Sequence, residues 1–575
     1  MPFILDMVHH NPGEPPFESA FLDPAHLTRR GFNGQVFKHL NCVATFAATG
    51  VEIFPAGTPD RAWLETFTAE REMEITTAKA SGLTVFYHID LFVLPKRLVE
   101  HFRDDICDPV TGRILLDRPR TLDLHRVMFD ELITRFPAVD GFIIRFGETY
   151  LFDTPFHTGN GPLPKCGGPW NPLYGYPEAI IGEKSISPWS ADHSAACTKL
   201  VSFLRDEICE KHGKHLIFRT WDTAPDRLHA IPENYLTVSN AIAPHPKLSF
   251  SIKHTALDFW RRVKVSECLG IGRHPQLIEV QCQREYEGKG AFPNYIMHGV
   301  IDGFPENAKP IGLKRLVENP NYQGIYSWSR GGGWYGPYLK NEFWCDLNAS
   351  ILAAWANNPH RPEEEVFREH AREQLGLSEI DTTRFRELCL LSADAVLKGR
   401  HCEAFDRILH ESILPTALWM RDDRLGGNEQ LAPVLAFLDT HGLFEEALAE
   451  KDQAVEIWHH ICKLAAEISW ADEALGNQVR ASANYGLRLF DWIRHGWHVM
   501  ALGWQVGNGN SSAKSLLMEA IGACDQARSH YHQLAENPAC ASLFQGRYFS
   551  LPGQPAVPGL DATIDKYRQT ENIHE

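Results

Sequence analysis

The sequence has no hydrophobic run long enough to cross a bilayer, because none of its segments approaches the ~18 apolar residues that a spanning helix needs. Its first residues, MPFILDMVHHNPGEPP, contain no basic leader, and their apolar run is too short for a secretory signal. Positive charge is also scarce: 56 Lys and Arg stand against 73 Asp and Glu, which gives a net charge of −17. Phosphates of nucleic acids and of anionic membranes would repel such a surface. We therefore expect a cytoplasmic protein with no nucleic-acid and no membrane partner.

The thirteen cysteines are scattered through the chain, and no two of them have the CxxC spacing. In a chain of this size that pattern predicts reduced thiols. The 575 residues, 44% of them apolar, are enough for two or three domains with substantial cores. No stretch is dominated by one residue type and no internal repeat is present, so we expect a folded globular protein.

Up to residue 340, short apolar runs alternate with amphipathic stretches. Eight runs have the length and composition of buried strands, and they lie at 34–41, 83–90, 140–147, 215–222, 247–254, 276–283, 294–301 and 324–330. Between several of them lie helical patterns, for example at 61–80 and 123–136. Strands that alternate with helices pair in parallel, so eight such units predict an α/β fold of the (β/α)8 TIM-barrel type over residues 1–340. A doubly wound open sheet is the alternative, but no Gly-rich phosphate-binding fingerprint follows the first run.

From residue 341 onward the apolar residues recur with the 3.6-residue period of helices. Long examples are LFEEALAEKDQAVEIWHHICKLAAEIS and ASANYGLRLFDWIRHGWHVMALGWQ. This pattern predicts an all-helical C-terminal domain over residues 341–550. Residues 551–575 contain several prolines and glycines and are interpreted as a C-terminal tail.

Charged and aromatic residues follow most of the predicted strands. In a barrel enzyme the active site lies at the carboxyl ends of the strands, so the residues that follow each run are informative. In chain order they are Arg145 and Glu148; Arg219 and Asp222; Lys253 and Asp258; Arg284, Glu285 and Glu287; and Trp328, Arg330, Trp334 and Tyr335. Carboxylates and cations are therefore expected at one rim of the barrel.

Two kinds of chemistry use such a set of side chains. Glycoside hydrolysis needs one carboxylic acid and a second carboxylate, and cations beside them would hold a negatively charged substituent. Metal-assisted chemistry would need converging ligands; His88, His254 and Asp90 lie near strand ends, but no HExxH spacing accompanies them. Plain structural roles stay open for each residue alone, such as a rim salt bridge for Glu148 and a helix cap for Asp258.

Eight short motifs in the sequence resemble those of a known family. In chain order they are GFNGQVFKHLN (31–41), GLTVFYHIDLFVLP (82–95), DGFIIRFGETY (140–150), HLIFRTWD (215–222), SIKHTALDF (251–259), IEVQCQREYEG (278–288), GIYSWSRGGGWYG (324–336) and NASILAAWANNP (348–359). With these motifs the chain resembles family 67 glycoside hydrolases, the α-glucuronidases that remove glucuronic acid from xylan fragments. The resemblance covers most of the chain and rests on the order of eight short matches, since no single motif is decisive.

The resemblance implies a role for each matching residue. Glu148 corresponds to the general acid of the family, and Asp258 and Glu285 correspond to the carboxylates that hold and deprotonate the attacking water. Three cations correspond to contacts with the uronate carboxylate, and they are Arg145, which stands where the family usually has lysine, Arg219 and Lys253. We also expect the last strand and the loop after it to bind substrate through Trp328, Arg330 and Trp334.

The position of Arg145 near Glu148 predicts where the Arg145 side chain points. A general acid must be protonated near neutral pH, which requires an apolar or acidic surround, and a cation in contact would oppose this. We therefore expect Arg145 to point at the substrate carboxylate. Two departures from the family are expected as well: the first barrel strand begins near residue 34, with no β-rich domain ahead of it, and an insertion at 151–180 lines the leaving-group side.

These inferences predict an exo-acting glycoside hydrolase that releases a terminal α-linked uronic acid from an oligosaccharide by an inverting single displacement. Inversion places the acid ~6.5–9.5 Å from the base carboxylates. The resemblance implies no cofactor and no metal, an oligosaccharide bearing a uronic acid as partner, and a homodimer formed through the helical domain. Two alternatives remain: a related exo-glycosidase acting on another acidic glycan, algal or pectic, and a non-catalytic carbohydrate-binding protein on the same barrel.

Overall fold

Eight parallel strands close into a barrel in the order β1-β8-β7-β6-β5-β4-β3-β2, so that every strand is paired on both edges. The computed structural model describes residues 2–9, 18–110, 112–146, 154–159, 189–221, 228–259, 261–284, 287–307, 309–331, 339, 341–408, 428–535 and 564–568. The barrel strands are β1 Phe3–Val8, β2 Gly34–Lys38, β3 Thr84–Asp90, β4 Gly141–Arg145, β5 His215–Arg219, β6 Leu248–Lys253, β7 Gln276–Gln281 and β8 Tyr322–Arg330. The closed sheet confirms the predicted (β/α)8 barrel and excludes the doubly wound alternative.

The predicted start of the barrel near residue 34 is wrong, because the first strand is β1. It pairs in parallel with β2 and β8, and Leu5 lies opposite both Gly34 and Tyr326. Asp6 interrupts the apolar pattern of this strand, and its buried carboxylate accepts hydrogen bonds from the backbone N–H and the hydroxyl of Ser329, at 3.0 and 2.6 Å. Burial raises the pKa of the Asp6 carboxyl to about 7. A short run with a charged residue in its middle does not show the apolar pattern by which a buried strand is predicted.

The predicted strand at 294–301 is also wrong, since this segment leads into a helix, Met297–Asp302. The amide of Asn348 determines the local path of the chain. Its Oδ1 accepts the backbone N–H of Ile296 at 3.1 Å, and its Nδ2 donates to the carbonyl of Asn294 at 3.0 Å. A buried side chain 52 residues away therefore satisfies the groups that a strand would have used in pairing.

Helices connect the strands on the outside of the barrel. They are α1 Pro24–Arg30, α2 Pro59–Ala80, α3 Lys96–His101, α4 Arg103–Ile106, α5 Pro119–Arg135, α6 Ala191–Leu204 with its π-helical continuation Arg205–Lys211, α7 Pro232–Ala241, α8 Met297–Asp302 and α9 Leu313–Leu316. Four of them, α1, α2, α5 and α7, begin with proline, which suits a first turn because it lacks the N–H that would stay unpaired there. A separate antiparallel pair joins Leu94–Pro95 to His157–Thr158.

The chain after the barrel is helical, as predicted. Its helices are α10 Phe343–Asn357, α11 Glu363–Glu373, α12 Glu379–Arg400, α13 Glu403–Ile408, α14 Asn428–His441, α15 Phe444–Glu467, α16 Glu473–Gly507 and α17 Lys514–Ala535. The longest, α16, has 35 residues and packs against both α15 and α17. Of the predicted tail, residues 564–568 form one helical turn, which Arg568 ties to Asp525 at 2.7 Å.

The helical region packs directly on the barrel. The ring of Phe292, from the loop after β7, lies 5.7 Å from that of Trp458 and 5.3 Å from that of Phe490. The indole N–H of Trp344 donates to the hydroxyl of Ser482 at 2.9 Å. One apolar core therefore runs across residue 341, and the division at that residue remains a proposal about domains.

Eleven cysteines lie in the described part of the chain, and all of them are free thiols. Ten are buried, and Cys462 is half-buried. Among the described residues, no helix combines the length and the apolar character that a membrane-crossing segment requires.

Candidate active site

The interior of the barrel changes character along the strands. Successive inward positions of a strand are two residues apart. Toward the amino ends they form an apolar cluster, here called the lower layer: Leu5, Val36, Phe86, Ile143, Ile217 and Leu277. Toward the carboxyl ends they form an upper layer that is polar and buried: His88, Asp90, Arg145, Arg219, Lys253 and Glu279. Three of the predicted cations, Arg145, Arg219 and Lys253, therefore lie inside the barrel, directly above its apolar filling.

Arg145 forms a two-point ion pair with Asp90. The last residues of β4 and β3 lie opposite each other in register, and Arg145 Nε and Nη2 donate to the two carboxylate oxygens at 2.6 and 2.7 Å. Both side chains are at most 4% exposed. The guanidinium is thus engaged by a carboxylate of the protein itself. Its expected direction relative to Glu148 stays a prediction, because Glu148 lies outside the described residues.

Arg219 forms a second two-point ion pair, with Glu279. Arg219 Nε and Nη2 donate to the two carboxylate oxygens at 2.8 and 2.6 Å, and the hydroxyl of Ser251 lies 3.3 Å from one of them. Burial alone would lower the pKa of Arg219, but the charge of Glu279 and its hydrogen bonds outweigh burial and raise that pKa above its ordinary value. Arg219 Nη1 is buried and has no hydrogen-bond partner among the described residues.

Lys253 pairs with Asp258, which follows it on the loop after β6. The distance from Lys253 Nζ to Asp258 Oδ1 is 2.6 Å. The ammonium also lies 3.4 Å from the centre of the Trp221 ring and 4.8 Å from that of Phe259, so two aromatic faces cover it. The Asp258 side chain is 23% exposed, whereas those of Asp90 and Glu279 are 3% and 0% exposed. Asp258 is therefore the most accessible carboxylate of these three pairs.

Trp328 connects the charged groups near the carboxyl end of β8. Its ring stacks on that of His9 at 5.2 Å and 11°, and the Arg219 guanidinium lies 4.9 Å from its centre. The Phe259 ring, which contacts Lys253, is 6.2 Å from that of Trp328. Arg219, Lys253 and Trp328 therefore meet at one mouth of the barrel.

Arg330 ends β8 but is directed at the start of the helical region. Its Nη1 donates to Glu342 at 2.7 Å, and the guanidinium is 1% exposed. Glu342 also accepts the backbone N–H of Ala20 at 2.9 Å. Arg330 thus links the barrel to the helical region. The substrate contact that the sequence predicts for Arg330 stays a prediction.

His88 occupies the middle of the upper layer. Its Nδ1 lies 3.4 Å from the sulfur of Met7 and 3.4 Å from the hydroxyl of Tyr326. Burial, and then the positive charges of Arg145 and Arg219, hold the pKa of this imidazole far below its ordinary value. The ring is therefore neutral at neutral pH. Its Nε2 is buried without a partner in the described part of the chain.

Three predicted site residues, Glu148, Glu285 and Trp334, lie outside the described residues, as does most of the 151–180 insertion. The separation of the acid from the base carboxylates therefore stays a prediction. Within the described ranges, no group of three or more His, Cys, Asp or Glu side chains is arranged to hold a metal ion.

Sequence analysis missed the two carboxylates that hold the arginines. The sequence offers Asp90 only as a possible metal ligand, and it places Glu279 within a strand. A signal for Glu279 does exist: a carboxylate in the middle of an apolar strand of a barrel must be buried, and a buried charge requires an opposite charge nearby. The stacking of His9 on Trp328 had no signal of this kind, since β1 itself was not recognised.

A groove of about 690 Å³ lies outside the barrel, on the surface of α2. Its lining includes Leu22, Phe37, Met73 and Glu74. None of the predicted site residues contributes to it, so we place the candidate site at the barrel mouth, where the charged side chains converge.

Comparison with known proteins gives a structural likeness only. No protein-family model and no curated protein matches the chain. A GH138 enzyme targeting pectin rhamnogalacturonan II superposes with a TM-score of 0.56 at 11% identity, over 99% of this chain and 83% of that one. An O-GlcNAc hydrolase of Thermobaculum terrenum and the protein CpGH84B both give a TM-score of 0.37, at 9% and 10% identity, over 99% and 98% of this chain and 93% and 76% of theirs. The chain therefore shares its fold with the GH138 enzyme.

Proposed function

We propose that this protein is an exo-acting glycoside hydrolase that releases a terminal α-linked uronic acid from an oligosaccharide with inversion of configuration. The observation that carries the proposal is that three cations of the upper layer, Arg145, Arg219 and Lys253, each pair with a carboxylate at the carboxyl ends of the strands. Buried ion pairs are weak contributors to stability compared with apolar packing of similar volume. Their concentration at the carboxyl ends of barrel strands therefore supports a catalytic use.

In the proposed reaction, Glu148 gives its proton to the glycosidic oxygen as the bond to the anomeric carbon breaks. A water attacks that carbon from the opposite face and loses its proton to Asp258, with Glu285 as the second carboxylate on the water. The 23% exposure of the Asp258 side chain supports its part, because a base must reach the water. The parts of Glu148 and Glu285 rest on the resemblance to family 67.

Recognition of the uronate carboxylate is assigned to the cations of the upper layer. Arg145, Arg219 and Lys253 each hold a protein carboxylate, so their charges are already matched pairwise. Arg219 still has a donor to offer, since its Nη1 is buried and unpartnered among the described residues. We therefore propose that Arg219 Nη1 makes the principal contact with an acidic substituent of the substrate. The guanidinium of Arg219 itself lies over the Trp328 ring.

A second candidate keeps this machinery and changes the glycan. Pectin is the substrate class named for the GH138 enzyme, whose fold this chain shares. An exo-glycosidase that removes an acidic sugar from a pectic oligosaccharide is therefore the alternative we favour over an algal substrate. The non-catalytic carbohydrate-binding protein has no observation in its favour.

The decisive experiment is a screen of aldouronic acids and pectic oligosaccharides for released uronic acid, with proton NMR of the product anomer early in turnover. Release of acid with inverted configuration would support the proposal, and retention would exclude single displacement. Asp258→Asn and Glu148→Gln should each lower kcat/KM by about 10²-fold or more. Oligosaccharide binding without turnover in the wild-type protein would favour the non-catalytic reading.

Specificity for the acid can be tested with Arg219→Lys. Lysine keeps a positive charge beside Glu279 but cannot supply Nη1. We expect turnover of uronosides to fall by about tenfold or more relative to their neutral sugar analogues. Equal losses on both kinds of substrate would contradict the proposed contact with the carboxylate.

A further inference from the structure

The loop after β7, residues 282–294, has an unusual backbone. Here it is called the β7 loop; its residues 285 and 286 lie outside the described part of the chain. Arg284 and Lys289 have positive φ angles of 60° and 49°, in addition to two glycines at 99° and 86°. For a residue with a side chain this left-handed conformation costs free energy, and it persists only where surrounding contacts impose it.

The carboxylate of Glu287 contacts one of these two residues, Arg284. The Glu287 side chain is fully buried, and polar groups from three separate segments lie around it. Arg284 Nε donates to it at 2.8 Å, the backbone N–H of Arg261 from the loop after β6 donates to it, and His401 Nε2 lies 3.5 Å away. Burial alone would raise the pKa of Glu287, but Arg284 and His401 outweigh burial and hold it below its usual range.

The main chain of the β7 loop is folded around the same pair. The backbone N–H groups of Glu287 and Lys289 both donate to the carbonyl of Arg284, at 3.1 and 3.2 Å. Asn294 Nδ2 donates to the carbonyl of Glu287 at 3.0 Å, and Gln283 Nε2 donates to that of Lys289 at 3.1 Å. These bonds close the loop on itself, so its shape depends on how Arg284 and Glu287 are held.

The helical region supplies one side of this arrangement. His401 follows α12 directly, is fully buried, and its carbonyl accepts from the ammonium of Lys451. Arg261, whose N–H binds Glu287, also donates through Nη1 to the carbonyl of Ala393 within α12, at 3.1 Å. Two segments that contact Glu287 are therefore attached to the helical region.

We propose that Glu287 is a positioning residue through which the helical region holds the described part of the β7 loop, the loop in whose sequence Glu285 lies. The consequence for catalysis rests on the proposed function, since it assumes that Glu285 acts on the water. The coupling itself is a property of the folded chain and can be measured without substrate.

The first test is amide hydrogen exchange of the intact, substrate-free protein. Glu287→Gln and His401→Leu should both accelerate exchange in peptides from 282–291 by about tenfold or more. The matched control is Glu207→Gln, which breaks the ion pair of another buried carboxylate, with Arg126 at 2.6 Å, between α5 and the π-helical continuation of α6. The control should leave exchange in 282–291 unchanged. His401→Leu keeps the Arg284–Glu287 pair, so it remains informative if Glu287→Gln does not fold.

The second test is kinetic, on the best glycoside found in the screen. Glu287→Gln and His401→Leu should lower kcat by about tenfold while KM stays within about twofold, and Glu287→Asp should recover part of the loss. The control Glu207→Gln should lower the Tm without this effect on kcat.

The outcomes separate the two proposals. A wild-type protein that hydrolyses no glycan defeats the proposed function, while the exchange experiment still decides the coupling. Unchanged loop exchange in both Glu287→Gln and His401→Leu overturns the coupling even in an active enzyme. Equal acceleration in the Glu207→Gln control also overturns it, because the effect would then be general loosening.

Discussion

The lower and upper layers of the barrel interior are built on the same strands, but the lower layer is apolar and the upper layer is charged. A step of two residues along a strand replaces an aliphatic side chain by a charged one in three strands: Ile143 by Arg145 in β4, Ile217 by Arg219 in β5, and Leu277 by Glu279 in β7. Both layers are buried. A barrel selected for stability alone would continue the aliphatic filling, so the upper layer indicates a requirement other than stability.

The largest expected effect comes from breaking one pair of the upper layer. Glu279→Leu leaves the Arg219 guanidinium buried without its carboxylate, which should cost about 3–5 kcal/mol in the free energy of unfolding and abolish turnover. Urea unfolding and a glycoside assay measure the two effects. The matched change in the lower layer, Leu277→Ala, should cost about 2–5 kcal/mol by leaving a cavity, yet the molecules that remain folded should keep their specific activity. Inactivity of both variants would remove the distinction between the layers.

The second expected effect separates stability from function within one pair. Arg219→Met combined with Glu279→Leu extends the apolar filling upward and leaves no unpaired charge. We expect the free energy of unfolding to return to within about 2 kcal/mol of wild type or to exceed it, while activity stays absent. A double variant as unstable as Glu279→Leu would show instead that the pair is needed for the fold.

The third effect concerns stability in acid, which His88 should lower. Its pKa is depressed in the folded protein by burial first and then by Arg145. A group of this kind contributes stability that is present above its unfolded pKa of about 6.5 and is lost as the pH falls toward its folded value. Between pH 7.5 and 5.0 the free energy of unfolding should fall by about 2 kcal/mol more in wild type than in His88→Phe. An equal pH slope in wild type and in His88→Phe would contradict this effect.

The smallest effect is expected from a conservative change in the lower layer. Ile217→Val removes one methylene group from a packed position, which should cost about 0.5–1.5 kcal/mol in the free energy of unfolding. Activity per folded molecule should stay within about twofold of wild type. A larger loss of activity than of stability would mean that the lower layer also shapes the site.

Most of the fold can be predicted from the sequence, because most of its strands and helices are marked by the local spacing of apolar residues. Seven of the eight predicted strand runs, including 140–147 and 215–222, are strands of the barrel, and the long helices appear where the apolar period becomes 3.6. The two errors have a common physical cause. β1 is defined by its pairing with β8, and segment 294–301 is held as a turn and helix by the amide of Asn348. Such distant partners leave no trace in local periodicity.

For the site, the sequence predicts which residue types are present but not how they pair. The sequence places Arg145, Arg219 and Lys253 at strand ends, and alternation places them inside the barrel. It does not show that each of them already holds a carboxylate, because the partner of Arg219 lies 60 residues away on another strand. The geometry of Glu148 and Glu285 remains a prediction from the family 67 resemblance.

The closure of the barrel by β1 and β8 has a consequence for the newly made chain. The hydrogen bond from Ser329 to Asp6 spans 323 positions, so the ribosome must add that many residues after β1 before the ring can shut. At about 5–20 residues per second this takes roughly 16 to 65 s, during which one edge of β1 offers unpaired backbone groups to any passing strand. Closure of the ring is therefore a late step of folding, which cannot precede the synthesis of β8.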